Sequence, residues 1–307
     1  MQKLIKTLND CTVYYGNWTM DNDTLICSSK PDDSNHGLAL FGFDLEDGEI
    51  EADISVEGDI QHSGAMIVFR ANSDELYYGA GVGVWDDAFQ LSEGKKFGFT
   101  RLSGVGSRSS IQTNRTYKFR VVLEGQKVDI YVNDIKVIGY PNLPRQTGTS
   151  VGIFCHKGEK GNFQAKFNNI RASSSTPKAF VAMQFSEPYN EVYRDAIEPL
   201  VKEIGFEPLR IDDVYGPGII INDIINNLSE STIVLAEISE KNANVYYELG
   251  LAHAFGKPTL LMATKGTSLP FDVGSHRTIF YENTIAGRTK LQNSLRHSLM
   301  SLLGRSI

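Results

Sequence analysis

The chain has 307 residues, 41% of them hydrophobic, and a formal net charge of −7. That length suits two domains, and the apolar content is enough for two cores without disulfides. The acidic balance argues against a nucleic-acid surface, and no run approaches the ~20 apolar residues of a membrane helix.

The N-terminal stretch has no apolar segment of signal-peptide length, so the cytoplasm is the expected location. Three cysteines, Cys11, Cys27 and Cys155, are odd in number and lack metal-ligand spacing. They are expected to be reduced thiols, with neither metal nor cofactor implied.

Residues 49–56 alternate polar and apolar without a break, as a half-buried strand does. Residues 64–70, 77–85, 151–155 and 163–170 read as further strands. Residues 117–123 and 127–132 do too, joined by Glu124-Gly125-Gln126, with Asn133-Asp134 as the next turn. No long amphipathic helix interrupts them, so the first half is expected to be an all-β sandwich over residues 1–174. Glu49, Glu51 and Asp53 share one strand face, most simply a solvated one. Asp86-Asp87 reads as a solvated loop pair or a calcium contact.

The segment IYVND, from Ile130 to Asp134, is similar to the turn-flanking strand of concanavalin-like jelly rolls. That resemblance implies a glycan or protein ligand on the sheet face. Arg70, Tyr77, Tyr78, Trp85 and Phe89 are the candidates, with core packing or an interdomain surface as the simpler role. Residues 173–177, Ser-Ser-Ser-Thr-Pro, read as the linker.

From residue 178 the pattern changes. Strands are expected at 179–185, 207–213, 232–238, 258–264 and 277–282. Helices are expected at 189–204, 219–228, over the Glu248 segment, and at 286–303. This alternation predicts a doubly wound, five-stranded parallel sheet over residues 178–307, with ligands at the carboxyl ends of its strands. Ser186, Asp212, Asp213, Glu237 and Glu248 fall at those ends. Glu248 lies in a helical turn whose core face is Val245, Leu249 and Ala252.

Two motifs, FVAM at Phe180–Met183 and NANVYYELGLAHA from Asn242 to Ala254, resemble the nucleoside 2-deoxyribosyltransferase-like family. Its fold is similar to that of TIR domains, in a flavodoxin-like strand order. The resemblance implies Glu248 as nucleophile in an N-glycosidase or N-ribosyl transferase acting on a nucleoside, a nucleotide or NAD. It also implies a homo-oligomer and a role in defence.

Chemically, a carboxylate beneath the anomeric carbon stabilises an oxocarbenium-like state. Asp212, Asp213 and Glu237 are candidates to protonate the leaving base. Met183, Gln184, Phe185 and Ser186 form a pre-helix loop suited to ligand contacts, with Asn244 and Tyr247 beside the acid. Asn244 also reads as a helix N-cap, and His253 as a packed or surface histidine. The alternatives to an enzyme are a non-catalytic nucleotide-sensing module and a glycan- or protein-binding interaction protein.

Overall fold

The computed structural model describes residues 2–4, 10–29, 36–83, 85–95, 98–144, 148–158, 162–210 and 220–302. The chain divides into two compact units, Met1–Leu123 with Lys127–Ser175, and Glu124–Gln126 with Thr176–Ile307.

The first unit is built from β1 (Gln2–Leu4), β2 (Cys11–Tyr15), β3 (Asn17–Asp21), β4 (Thr24–Ser29) and β5 (His36–Asp44). There follow β6 (Gly48–Gly58), β7 (Gly64–Ala71), β8 (Leu76–Val82), β9 (Asp87–Lys95) and β10 (Gly98–Ser107). The last are β11 (Tyr117–Glu124), β12 (Lys127–Val132), β13 (Ile135–Tyr140), β14 (Ser150–His156) and β15 (Phe163–Ser174). They form two antiparallel sheets. One is eight-stranded, in the order β13-β12-β11-β6-β15-β4-β3 with β1 beside β15. The other is seven-stranded, in the order β10-β9-β8-β7-β14-β5-β2.

The alternation read from the sequence is what stacks them. On β6, Ile50, Ala52, Ile54 and Val56 are buried in the sandwich core, while Glu49 and Glu51 face outward toward Arg120 on β11. Asn133 and Asp134 form the hairpin turn after β12, both at positive φ.

Every residue of β7 is buried, because the seven-stranded sheet is covered on both faces. Ala65, Ile67 and Phe69 enter the sandwich core; Met66 and Val68 enter a separate apolar layer on the outer face.

The cysteine expectation is corrected. Cys27 on β4 and Cys155 on β14 form a disulfide that links the two sheets, and Cys11 lies outside it. They meet because the sandwich brings together chain positions 128 residues apart.

The second unit contains β16 (Lys178–Ala182), β17 (Glu207–Leu209), β18 (Ser231–Glu237), β19 (Thr259–Thr264) and β20 (Thr278–Tyr281). They form a parallel sheet in the order β17-β16-β18-β19-β20, the doubly wound order expected. The helices are α1 (Tyr189–Val192), α2 (Glu198–Glu203), α3 (Ile220–Glu230), α4 (Ala243–Ala254), α5 (Phe271–Gly274) and α6 (Ile285–Leu302). A π-helical turn, Tyr193–Ile197, joins α1 to α2.

β18 is buried throughout because apolar layers cover both sides of the sheet. The strand expected at 207–213 ends at Leu209, and Asp212 and Asp213 lie outside the described residues. Among the described residues no helix is long and apolar enough to cross a membrane.

Candidate functional site

Two places in the fold gather chemistry. The first is the carboxyl edge of the parallel sheet. Asn242, not Asn244, caps α4, accepting the Asn244 backbone N–H at 2.9 Å. Asn244 is thus an exposed first-turn residue. The cap also reaches across the edge: its Nδ2 donates to Gln184 Oε1 at 3.3 Å, and Gln184 Nε2 donates to Ser186 Oγ at 2.8 Å. These bonds tie the loop after β16 to the start of α4.

Val245, Leu249 and Ala252 bury one face of α4, and Glu248 goes in with them at 6% exposure. It has no hydrogen-bond or ion-pair partner among the described residues. Burial pushes its carboxyl up to about 7. A proton is therefore held or released near neutral pH, as acid–base chemistry requires.

Glu237 sits differently. At 2% exposure it accepts hydrogen bonds from Ser239 Oγ, from the Ser239 backbone N–H at 3.3 Å and from Tyr281 Oη at 3.2 Å. Burial raises its carboxyl, while these donors pull the other way. Ser239 Oγ in turn accepts the Thr264 backbone N–H at 2.7 Å. Glu237 is thus a latch joining the ends of β18, β19 and β20, with its lone pairs already engaged.

Met183, expected to touch ligand, is buried in the core. Phe185 is 47% exposed, with the Arg210 guanidinium 5.1 Å from its ring and 4.4 Å from that of Tyr193. Tyr247 is exposed next to Glu248 in the chain, and Tyr246 is half-buried with a hydroxyl that has no hydrogen-bond partner among the described residues. His253 stacks on His276 on another side of the unit. Gln184, Ser186 and Asn242 are therefore brought together, whereas Met183 and Glu237 are committed to structure.

The second place is the outer face of the seven-stranded sheet. Of the aromatic candidates read from the sequence, Tyr77 reaches it. Tyr78 and Phe89 face the sandwich core, and Phe89 meets Tyr117 and Phe119 there. Arg70 is buried, with its guanidinium 3.5 Å from the Leu143 carbonyl, and Trp85 is half-buried before β9. Asp87 pairs with Arg101.

The outer layer is instead made by Tyr77, Phe99 and Phe154, with His36 and His156 alongside. Phe99 and Phe154 have ring centroids 4.8 Å apart, and His36 and His156 4.6 Å. Tyr77 and Phe154 are fully buried and form the floor, while Tyr15, His36, Phe99 and His156 are half-buried around them.

Cross-strand glycines make room. A Cβ at Gly94 would stand 2.2 Å from the Tyr77 ring, so only glycine lets that ring lie flat. Two strand positions further on, Gln90 Nε2 donates to Ser92 Oγ at 2.7 Å, and both are fully buried on this face. The Tyr77 hydroxyl is buried near Tyr15 and makes no well-aligned hydrogen bond among the described residues. Burial lowers His36, which keeps its ring neutral.

The sequence does carry one signal for this layer, the alternation Gly152, Phe154, His156 along β14. The meeting of Phe99 with Phe154 has none.

No protein-family model matches the chain, and no curated protein does. Solved structures of β-sandwich proteins resemble about half of it. The carbohydrate binding module CBM66 from Bacillus subtilis is 19% identical, with a TM-score of 0.46 over 53% of this chain and 96% of that one. A native glycosidic hydrolase is 10% identical, with a TM-score of 0.44 over 56% of this chain and 95% of that one. The Bacillus licheniformis β-glucanase is 9% identical, with a TM-score of 0.42 over 52% and 83%.

These findings correct the functional expectation. The similar structures are named for carbohydrate binding and glycoside hydrolysis, not for nucleoside or NAD processing. The reading of the chain as an N-glycosidase, with its nucleotide ligand and defence role, is overturned. The deoxyribosyltransferase-like and TIR-like resemblance has no support among them. What the structure bears out is the architecture: a jelly-roll sandwich followed by a doubly wound parallel sheet.

Proposed function

We propose that this chain is a carbohydrate-recognising protein whose sandwich receives a sugar on the outer aromatic layer of its seven-stranded sheet. The observation that carries the reading is that layer itself. Aromatic rings with centroids 4.6 to 6.5 Å apart form a cluster outside the core, with half-buried rims around a buried floor.

A sugar presents apolar C–H faces and a periphery of hydroxyls. Rings match the first, and a few placed polar groups match the second. His36 and His156, half-buried at the rim of the layer, supply polar ring nitrogens on the same face. The names of the sandwich relatives agree with this ligand class.

A glycan array probed with the full chain tests the proposal. Binding should concentrate on one oligosaccharide class, and Phe99→Ala should lower it about tenfold, the usual scale for a ring anchor. Absence of any glycan signal, or an unchanged signal in a folded Phe99→Ala protein, would count against it.

Glu248 favours a second reading, in which the parallel-sheet unit acts on a glycosidic bond. A carboxyl held near 7 is suited to protonate a departing sugar oxygen. Release of reducing ends from the array-selected glycan, abolished in Glu248→Gln, is the test. No release by wild type removes this reading and leaves recognition standing.

A further inference from the structure

We propose that a cleft at the amino-terminal ends of β19 and β20 binds the phosphate group of a small polar molecule. It lies at the end of the sheet opposite the Glu237 latch. Its volume is about 690 Å³, within the range of small-molecule sites.

The chain carries a net charge of −7, yet none of the described residues lining this cleft is a carboxylate. They include Arg277, His276 and His297, with hydroxyl and amide donors from Ser294, Ser298 and Asn293. A tetrahedral oxyanion accepts hydrogen bonds from several sides, and this wall offers donors from strand, loop and helix.

The sequence builds the wall by helical spacing. On α6, Leu291, Leu295 and Leu299 are buried against the sheet. Asn293 and His297, with Ser294 and Ser298, repeat at the same four-residue interval one step round, so they form a polar stripe beside the apolar one.

The ligating groups are held in place. His297 Nδ1 donates to the Asn293 carbonyl at 2.7 Å, since a carbonyl only accepts; its Nε2 is left for the cleft. His276 stacks on His253 at 4.7 Å with ring planes 15° apart, and His253 is anchored to Thr259 Oγ1 at 3.3 Å. Burial, and then His276, disfavour charge on His253. It therefore serves as a flat platform that fixes the His276 ring at the mouth of the cleft. Arg277 has no ion-pair partner among the described residues, so its guanidinium is not already neutralised.

The test is calorimetric titration of the full chain with inorganic phosphate in low salt. Saturable 1:1 binding is expected. It should weaken about tenfold in Arg277→Ala and in His276→Ala, the loss of one charge-assisted contact. Arg277→Lys should retain part of it. Lys290→Ala removes an exposed cation of α6 outside the cleft and should change nothing. These side chains are exposed, so the variants should keep the wild-type circular dichroism. No saturable binding, or equal weakening in Lys290→Ala, overturns the proposal, because phosphate would then be responding to net charge alone.

Discussion

Phe99 on β10 and Phe154 on β14 lie with ring centroids 4.8 Å apart, although β9, β8 and β7 stand between their strands in the sheet. Four strand spacings of a flat sheet would separate them by roughly 19 Å. The β9–β10 hairpin therefore curls back over the outer face, and Phe99 closes an aromatic layer whose floor is Phe154 and Tyr77. The same ring that completes the fold of this face is the one on which the proposed sugar would stack.

The disulfide between Cys27 and Cys155 should carry a measurable share of the sandwich's stability. It ties opposite sheets across a sequence separation of 128 residues, and such crosslinks commonly contribute about 2–4 kcal/mol. Thermal unfolding of the sandwich should shift down by several degrees in reductant, and Cys27→Ala should reproduce that shift without further response to reductant. Cys11→Ala should leave the reductant effect intact.

Arg108 should be a large contributor without any role in binding. Its guanidinium donates to the carbonyls of Gly83, Ile60 and Ser63, pinning the turns before β7 and β9. Burial pushes it down to about 10, still far above neutral pH. Arg108→Ala would leave those carbonyls without their charged partner, at a cost of roughly 3 kcal/mol. Urea denaturation should show that loss with an unchanged slope. A loss within about 0.5 kcal/mol would mean that water replaces the guanidinium at no cost.

Glu248 should make the parallel-sheet unit less stable as pH rises. Its folded carboxyl is raised from 4.5 to about 7, so the folded state holds a proton that the unfolded chain releases. The burden is absent below pH 4.5, grows as pH rises toward 7, and is constant above. At 1.36 kcal/mol per unit it reaches up to about 3 kcal/mol. Glu248→Gln should therefore be more stable than wild type at pH 8, with the difference vanishing near pH 4. A difference that does not change with pH would mean that the carboxyl is already ionised in the folded state.

Much of the architecture was legible in the sequence because each element buries one simple pattern. Strict alternation on β6 gave a strand with one core face. The apolar run of β18, set between helices, gave a parallel strand covered on both sides. Val245, Leu249 and Ala252 placed Glu248 in α4.

What the sequence did not carry was long-range. β7 reads as a plain apolar run, and only the structure divides it between two layers. The pairing of Cys27 with Cys155 depends on sheet stacking, and the capture of Glu237 by Ser239 and Tyr281 depends on three strand ends meeting. Asn242 and Asn244 are equally good capping residue types, so composition could not choose between them. The aromatic layer depends on the curl of one hairpin, which no local spacing records.

The most direct test of sugar recognition is a calorimetric titration of the array-selected oligosaccharide into wild type, Phe99→Ala, His36→Ala and Glu248→Gln. If the outer layer of the sandwich is the site, wild type binds one sugar per chain, Phe99→Ala and His36→Ala weaken it about tenfold each, and Glu248→Gln binds as wild type does. Loss of binding in Glu248→Gln, with both layer variants folded and unaffected, would contradict that assignment and move the sugar to the parallel-sheet unit.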